Sequence, residues 1–178
     1  MQLKHTYDLY YASGVDSRRN MTQADYESQL QPVISFDTAE LFWQLFLHLK
    51  LPSQFTLRSK IYVFKAGVRP LWEAAANQAG GRLYFKLPLR EETEECWQGL
   101  LLELISDFGG HEHLDELVNG VEMTVRTANQ LSLALWVNTA DTRAVGELFA
   151  YLKAAVPFGD ARPFDFVPHP RRHLDLKG

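Results

Sequence analysis

Apolar residues cluster along this chain in short runs of strand length, and at helical spacing elsewhere. Ile61–Phe64, Leu83–Leu87, Val121–Arg126 and Leu131–Val137 are apolar or alternating and bounded by turn residues, which predicts strands. The aromatic segment Tyr7–Tyr11 reads the same way, and Gly80-Gly81 marks a turn into the strand at Leu83. Three helices are predicted. The first runs from Thr38 to about Leu49, with Asp37 as N-cap and Glu40 three residues on, as in a capping box. The second covers about Glu94 to Ser106, with acidic residues in its first turn. The third covers Asp141 to Ala155, where Ala144, Val145, Leu148, Phe149 and Leu152 form one apolar stripe. Ser13–Gln29 is polar and reads as a long loop, the kind that is usually functional or disordered. From about residue 157 the tail is proline-rich and irregular, with a short strand at Phe164–Val167. Strands interleaved with three helices predict an α+β fold: an antiparallel sheet with helices on one face, in a single domain over residues 1–178.

The first helix carries more than a core stripe. Only Glu40, Gln44 and His48 form a polar strip, so the apolar arc spans roughly 240°, where a core-facing helix needs little more than about 100°. Either a neighbouring helix or the tail covers the excess, or Trp43 at the border of the arc is an anchor for a partner, as tryptophans often are.

Composition narrows the function classes. The chain has 178 residues, 46% hydrophobic and 22% charged, enough for one sizeable core. No apolar run approaches the roughly 20 residues of a membrane span, and the start at Met1–His5 lacks a signal-peptide apolar region. One cysteine, Cys96, rules out an internal disulfide framework and suits a reducing compartment. A net charge of -4 argues against gripping long stretches of nucleic-acid backbone, although reading one end of an RNA needs no basic surplus.

The densest chemistry lies between Val63 and Arg82. A turn set by Gly67 and Pro70 delivers Trp72 beside Glu73. An indole face next to a carboxylate suits a planar, cationic ligand with hydrogen-bond donors in its plane, such as N7-methylguanine. Stacking on an aromatic face is worth about 1–3 kcal/mol per base, and the ring charge adds cation–π attraction. A carboxylate in the ring plane accepts the N1–H and N2–H donors as a charge-assisted pair that adenine cannot offer. His111-Glu112-His113 invites a metal reading, but zinc needs three or four converging ligands and no partner cluster is evident. Neither a P-loop nor a G-x-G-x-x-G pattern is present.

The run Val63-Phe64-Lys65-Ala66-Gly67-Val68-Arg69-Pro70-Leu71-Trp72-Glu73, followed by Gly80-Gly81-Arg82, resembles the cap-binding core of the eukaryotic translation initiation factor 4E family. Ser35–Trp43 resembles the family's first helix with its partner-binding tryptophan, and Val125-Arg126 with Leu133–Trp136 resembles its phosphate-binding strand pair. The resemblance covers Tyr7 to about Val156. It implies a curved sheet with the three helices on its convex face and an mRNA 5′ cap pocket on the concave side. It makes Trp72 one slice of an aromatic sandwich, Glu73 the base-reading carboxylate and Tyr26 the other slice, where most members carry Trp. It gives Arg126 to the phosphates, Trp136 to the methyl pocket, and Arg82 to the acidic site or the phosphates. A short helical motif of an initiation scaffold or 4E-binding protein would dock on Ala39, Trp43 and Leu102, with Leu45 and Leu49 as a flanking site.

What the resemblance implies is a non-enzymatic module with no cofactor and no metal, a monomer outside its complex, located in the cytoplasm or also the nucleus. The alternatives are a cap-binding repressor of the 4E-homologous type, which Tyr26 resembles, and an interaction scaffold whose pocket has decayed. The family's lysines after the phosphate-binding arginine are replaced by Ala128 and Ser132, which weakens phosphate neutralisation unless Arg18, Arg19, Arg171 or Arg172 folds over the pocket. Gln98 and Gly99 stand where the partner surface usually has leucine and glutamate.

Overall fold

Alternation along the strands gives the sheet two faces of different character, and the long helices cover only one of them. The computed structural model describes residues 1–13, 23–159 and 165–170. The strands are β1 (Gln2–Ala12), β2 (Leu30–Thr38), β3 (Lys60–Lys65), β4 (Gly81–Pro88), β5 (Val118–Thr127), β6 (Gln130–Val137) and β7 (Asp165–Pro168). They form one curved sheet in the order β2-β1-β3-β5-β6-β4-β7, with every neighbouring pair antiparallel. The long helices are α2 (Ala39–His48), α3 (Glu91–Ile105) and α6 (Thr142–Ala155); α1 (Gln23–Gln29), α4 (Asp107–Gly110) and α5 (Glu112–Leu117) are short. None of the described helices is long and apolar enough to cross a membrane.

The main core lies between the sheet and the long helices. Ile61, Val63, Leu83, Phe85, Val121, Met123, Leu133 and Leu135 point from the strands into it, against Leu100, Leu101 and Leu104 of α3 and Leu148 and Leu152 of α6. Trp97 and Cys96 are buried there too; the Cys96 thiol donates to the Pro157 carbonyl at 3.1 Å, and burial pushes its pKa up to about 11. Asp141, expected as the first residue of the third helix, is instead the N-cap of α6, accepting from the Ala144 amide at 2.8 Å. A smaller cluster of Ala12, Leu30, Tyr62, Phe64, Leu71 and Trp136 occupies the other, concave face.

Several expectations need correction. Residues 23–29 of the expected loop form helix α1, built from good helix formers such as Gln, Ala and Glu; residues 14–22 lie outside the described part. The N-cap of α2 is Thr38, not Asp37, because β2 runs on through Thr38, whose hydroxyl accepts from the Leu41 amide at 3.2 Å. Glu40 therefore makes no capping box and instead pairs with the N-terminal amine of Met1. Gly80 is needed less for a turn than for close approach: a Cβ there would lie 1.7 Å from the Val137 carbonyl oxygen.

Candidate functional site

Gly67 begins the loop that bears the central pair. Its φ of 85° favours glycine, and the Val68 amide closes a turn onto the Lys65 carbonyl at 3.0 Å. The loop is then held from within by Asn77, which is fully buried. Its amide donates to the carbonyls of Arg69 at 3.0 Å and Leu71 at 2.8 Å. Asn119 of β5 donates in turn to the Ala76 carbonyl and to Asn77 Oδ1, both at 2.8 Å. Gln78 adds a bond to the Glu73 carbonyl at 2.8 Å. Trp72 and Glu73 are both half-buried on this fixed frame, and Trp72 packs against the concave-face cluster. Among the described residues no aromatic ring stacks on the Trp72 indole.

Tyr26 joins the same cluster from α1, and its hydroxyl is hydrogen-bonded to that of Tyr62 on β3. Burial, and then the nearby Glu122 charge, push the Tyr26 pKa up to about 12, so its ring is neutral at ordinary pH.

Across the sheet the pairing register arranges the concave-face side chains in three ranks. One is Phe64, Gly120, Trp136, Arg82 and Val167; the next is Tyr62, Glu122, Ala134, Tyr84 and Asp165; the third is Lys60, Thr124, Ser132 and Lys86. Trp136 is only 3% exposed, set edge-on to Phe64 with centroids 5.4 Å apart, so it forms floor rather than wall. The Arg82 guanidinium lies 5.1 Å over the Trp136 ring and 5.1 Å over the Tyr84 ring. His169 sits against Trp136 with centroids 4.8 Å apart; burial and then Arg82 lower its pKa to about 4.

Beneath these rings is an ionised carboxyl that the strand pattern left unremarked. Glu122 is 3% exposed and accepts from Trp136 Nε1 and Thr124 Oγ1, each at 2.9 Å. Lys60 Nζ stands 3.6 Å and Arg82 Nη1 3.7 Å from its oxygens. Burial alone would raise its pKa, but the two cations and the two hydrogen bonds outweigh burial and hold it at about 2. A period-two reading of β5 places it on the concave face, since Glu122, Thr124 and Arg126 stand opposite Val121, Met123 and Val125, but its burial depends on the neighbouring strands.

Arg126 is exposed near the end of β5. It lines a cavity of about 430 Å³ with Tyr84, Lys86, Gln130, Asp165 and Val167. Lys86 pairs with Asp165 at 3.4 Å across the rim. Ala128 is exposed in the β5–β6 turn and Ser132 is buried in β6; Arg18, Arg19, Arg171 and Arg172 lie outside the described residues.

The opposite surface carries the other set. On α2, Phe42 alone is buried; Ala39, Leu45, Phe46 and Leu49 are half-buried, while Leu41, Trp43 and Leu47 are exposed at 42%, 41% and 77%. No described element covers that apolar excess. Trp43 stands edge-on to Phe42 and Phe46, with centroids 5.3 and 6.0 Å apart. Leu102 is half-buried on α3.

His111 and His113 do not converge with a carboxylate set; His111 packs on Tyr151 instead, with centroids 5.2 Å apart. Among the described residues, the cluster that could hold a metal by geometry is His5, Asp107 and Asp115. Its buried Asp115 is already bound by Lys4 at 2.9 Å, His5 at 2.7 Å and Lys65 at 2.8 Å. Two ammonium groups beside one carboxylate disfavour a cation, so this cluster is a structural ion network tying β1 and β3 to α5.

Comparison with known proteins agrees with this arrangement. The family model described as eukaryotic initiation factor 4E matches residues 2–175. The chain is 33% identical over 141 residues to a eukaryotic translation initiation factor 4E of Candida glabrata, covering 79% of this chain and 66% of that protein. It is 29% identical to the translation initiation factor NCBP of Oryza sativa, covering 94% and 70%. The chain thus spans about two thirds of the length of such relatives. The crystal structure of Ascaris suum eIF4E-3 with an m2,2,7G cap superposes with a TM-score of 0.81 at 26% identity, covering 95% of this chain and 91% of that one. With the matched model running nearly end to end, the chain belongs to the eukaryotic initiation factor 4E family.

Proposed function

We propose that this protein is a non-enzymatic module that captures the 7-methylguanosine cap of mRNA on its concave face and recruits a protein through the helical face opposite. The observation that carries the reading is the frame built by Asn77 and Asn119, which presents Trp72 and Glu73 together on the rim of an aromatic cluster containing Tyr26. Trp72 stacks the base, Glu73 accepts its N1–H and N2–H, and Tyr26 closes the other face with a smaller ring than tryptophan. The phosphates run toward Arg126, with Lys86 on the same cavity wall as a second cation. Trp136 supports the methyl end of the base from the floor.

The Ascaris structures with m2,2,7G and m7G caps support the ligand class. The exposed Trp43 on a helix with uncovered apolar residues supports a partner that brings a short amphipathic helix to Ala39, Trp43 and Leu102, with Leu45 and Leu49 beside it. Such a module works in the cytoplasm. The measurement that tests the reading is tryptophan fluorescence during titration with 7-methyl-GDP and with GDP. Stronger quenching at lower concentration with 7-methyl-GDP is expected; identical curves refute it. Incubation with a capped dinucleotide should yield no turnover.

A further inference from the structure

The buried Glu122 carboxylate is a group that the reading above does not use. A full charge beneath an aromatic cluster is costly unless it is compensated, and its compensation here is unequal. Its hydrogen bonds come from the Trp136 indole and the Thr124 hydroxyl, each at 2.9 Å. The cations stand farther off, Lys60 at 3.6 Å and Arg82 at 3.7 Å, and the buried Arg82 Nε has no hydrogen-bond partner. The carboxylate is thus aimed at the indole edge, while the Arg82 guanidinium lies over the indole face. Lys60 also stands 5.9 Å over the Tyr26 ring, so a positive charge faces Tyr26 as well as Tyr84 and Trp136.

Those two cations would repel a base that carries its own positive ring charge. With Glu122 ionised, one of them is cancelled. Its negative end on Trp136 Nε1–H also pushes electron density into the indole, strengthening the ring's hold on the Arg82 guanidinium that lies over its face. We propose that Glu122 is a specificity-determining residue: by setting the charge of the pocket floor it makes the site prefer a guanine with a ring charge over a neutral one. This rests on the cap-binding reading and adds to it a second source of methyl dependence, distinct from the aromatic sandwich.

The inference is tested by the ratio of dissociation constants for GDP and 7-methyl-GDP. Glu122→Gln keeps the shape and an acceptor for Trp136 but removes the charge. It should lower the preference for 7-methyl-GDP about five- to tenfold, with GDP binding unchanged or tighter. Lys60→Met removes a compensating cation and should raise the preference about threefold. The double variant should return toward the wild-type ratio. If Glu122→Gln does not fold, Lys60→Met decides alone. Equal ratios in every variant, or a parallel loss for both ligands, overturn the role of Glu122 and leave the cap reading standing. A wild-type protein that does not distinguish the two ligands overturns both.

Discussion

Lys86 on β4 is in direct register with Ser132 on β6, and on the far side of Ser132 the same rank continues through Thr124 to Lys60. Lysines expected within the β5–β6 pair are absent from it, but neighbouring strands bring ammonium groups to the same face. Lys86 shares its cavity wall with Arg126, whereas Lys60 is engaged with Glu122.

Arg126→Ala and Lys86→Ala should therefore each weaken 7-methyl-GTP binding about three- to tenfold. The loss should shrink as salt is raised and should be smaller for 7-methylguanosine, which lacks phosphates. Equal losses for nucleoside and nucleotide would remove both residues from the phosphate path.

Glu73→Ala removes a charge-assisted hydrogen-bonding pair from the edge of the base, and the expected cost is about 2–4 kcal/mol. Affinity for 7-methyl-GDP should fall at least thirtyfold while the unfolding midpoint stays near that of the parent. Retained affinity would exclude Glu73 as the base reader.

Trp43→Ala should leave cap-analogue titrations unchanged and reduce binding of a helical peptide from a 4E-binding protein by about 2 kcal/mol or more. Isothermal titration with both ligands separates the two faces. A parallel loss at both sites would mean that the helix is needed for the fold rather than for docking.

Acid stability should fall in two stages. His169 has its pKa lowered from 6.5 to about 4, so below pH 6.5 the unfolded chain takes up a proton that the folded one refuses. Stability therefore drops as pH falls from 6.5 toward 4, by up to about 3 kcal/mol. Glu122 and Asp115 are both held at about 2, below usual values of 4.5 and 3.8. Their contribution is complete above those usual values and is lost as pH falls toward 2. Urea midpoints at pH 7, 5.5 and 4.5 should show the first stage, and His169→Gln should flatten it. An unchanged slope in that variant would place the proton uptake elsewhere.

The long helices and the central strands were legible because their apolar residues repeat at the period of one element and each run has room to form it; β2, mostly exposed and without such a run, was not. Trp72 and Glu73 stand out as a candidate pair because an indole beside a carboxylate sits behind a Gly–Pro turn. What escaped the sequence depends on neighbours distant along the chain. Helix α1 offered only a short polar segment with no apolar stripe. Asn77 looked like one more polar residue in an alanine-rich loop, and only Asn119 arriving from β5 makes it a fastening. Glu122 broke an apolar strand in a way that reads as surface until Lys60, Arg82 and Trp136 come from three other strands. Thr38 displaced Asp37 as the cap because strand pairing, which a helix signal does not register, carries β2 one residue further.

The two jaws of the proposed pocket are fastened differently. Trp72 and Glu73 stand on backbone carbonyls already gripped by Asn77 before any ligand arrives, whereas Tyr26 is anchored to the sheet by its hydroxyl bond to Tyr62. A partner that meets a prearranged jaw loses little freedom of the protein on arrival. Analogues that differ at the guanine edge should then associate at similar speeds and part company in how long they stay.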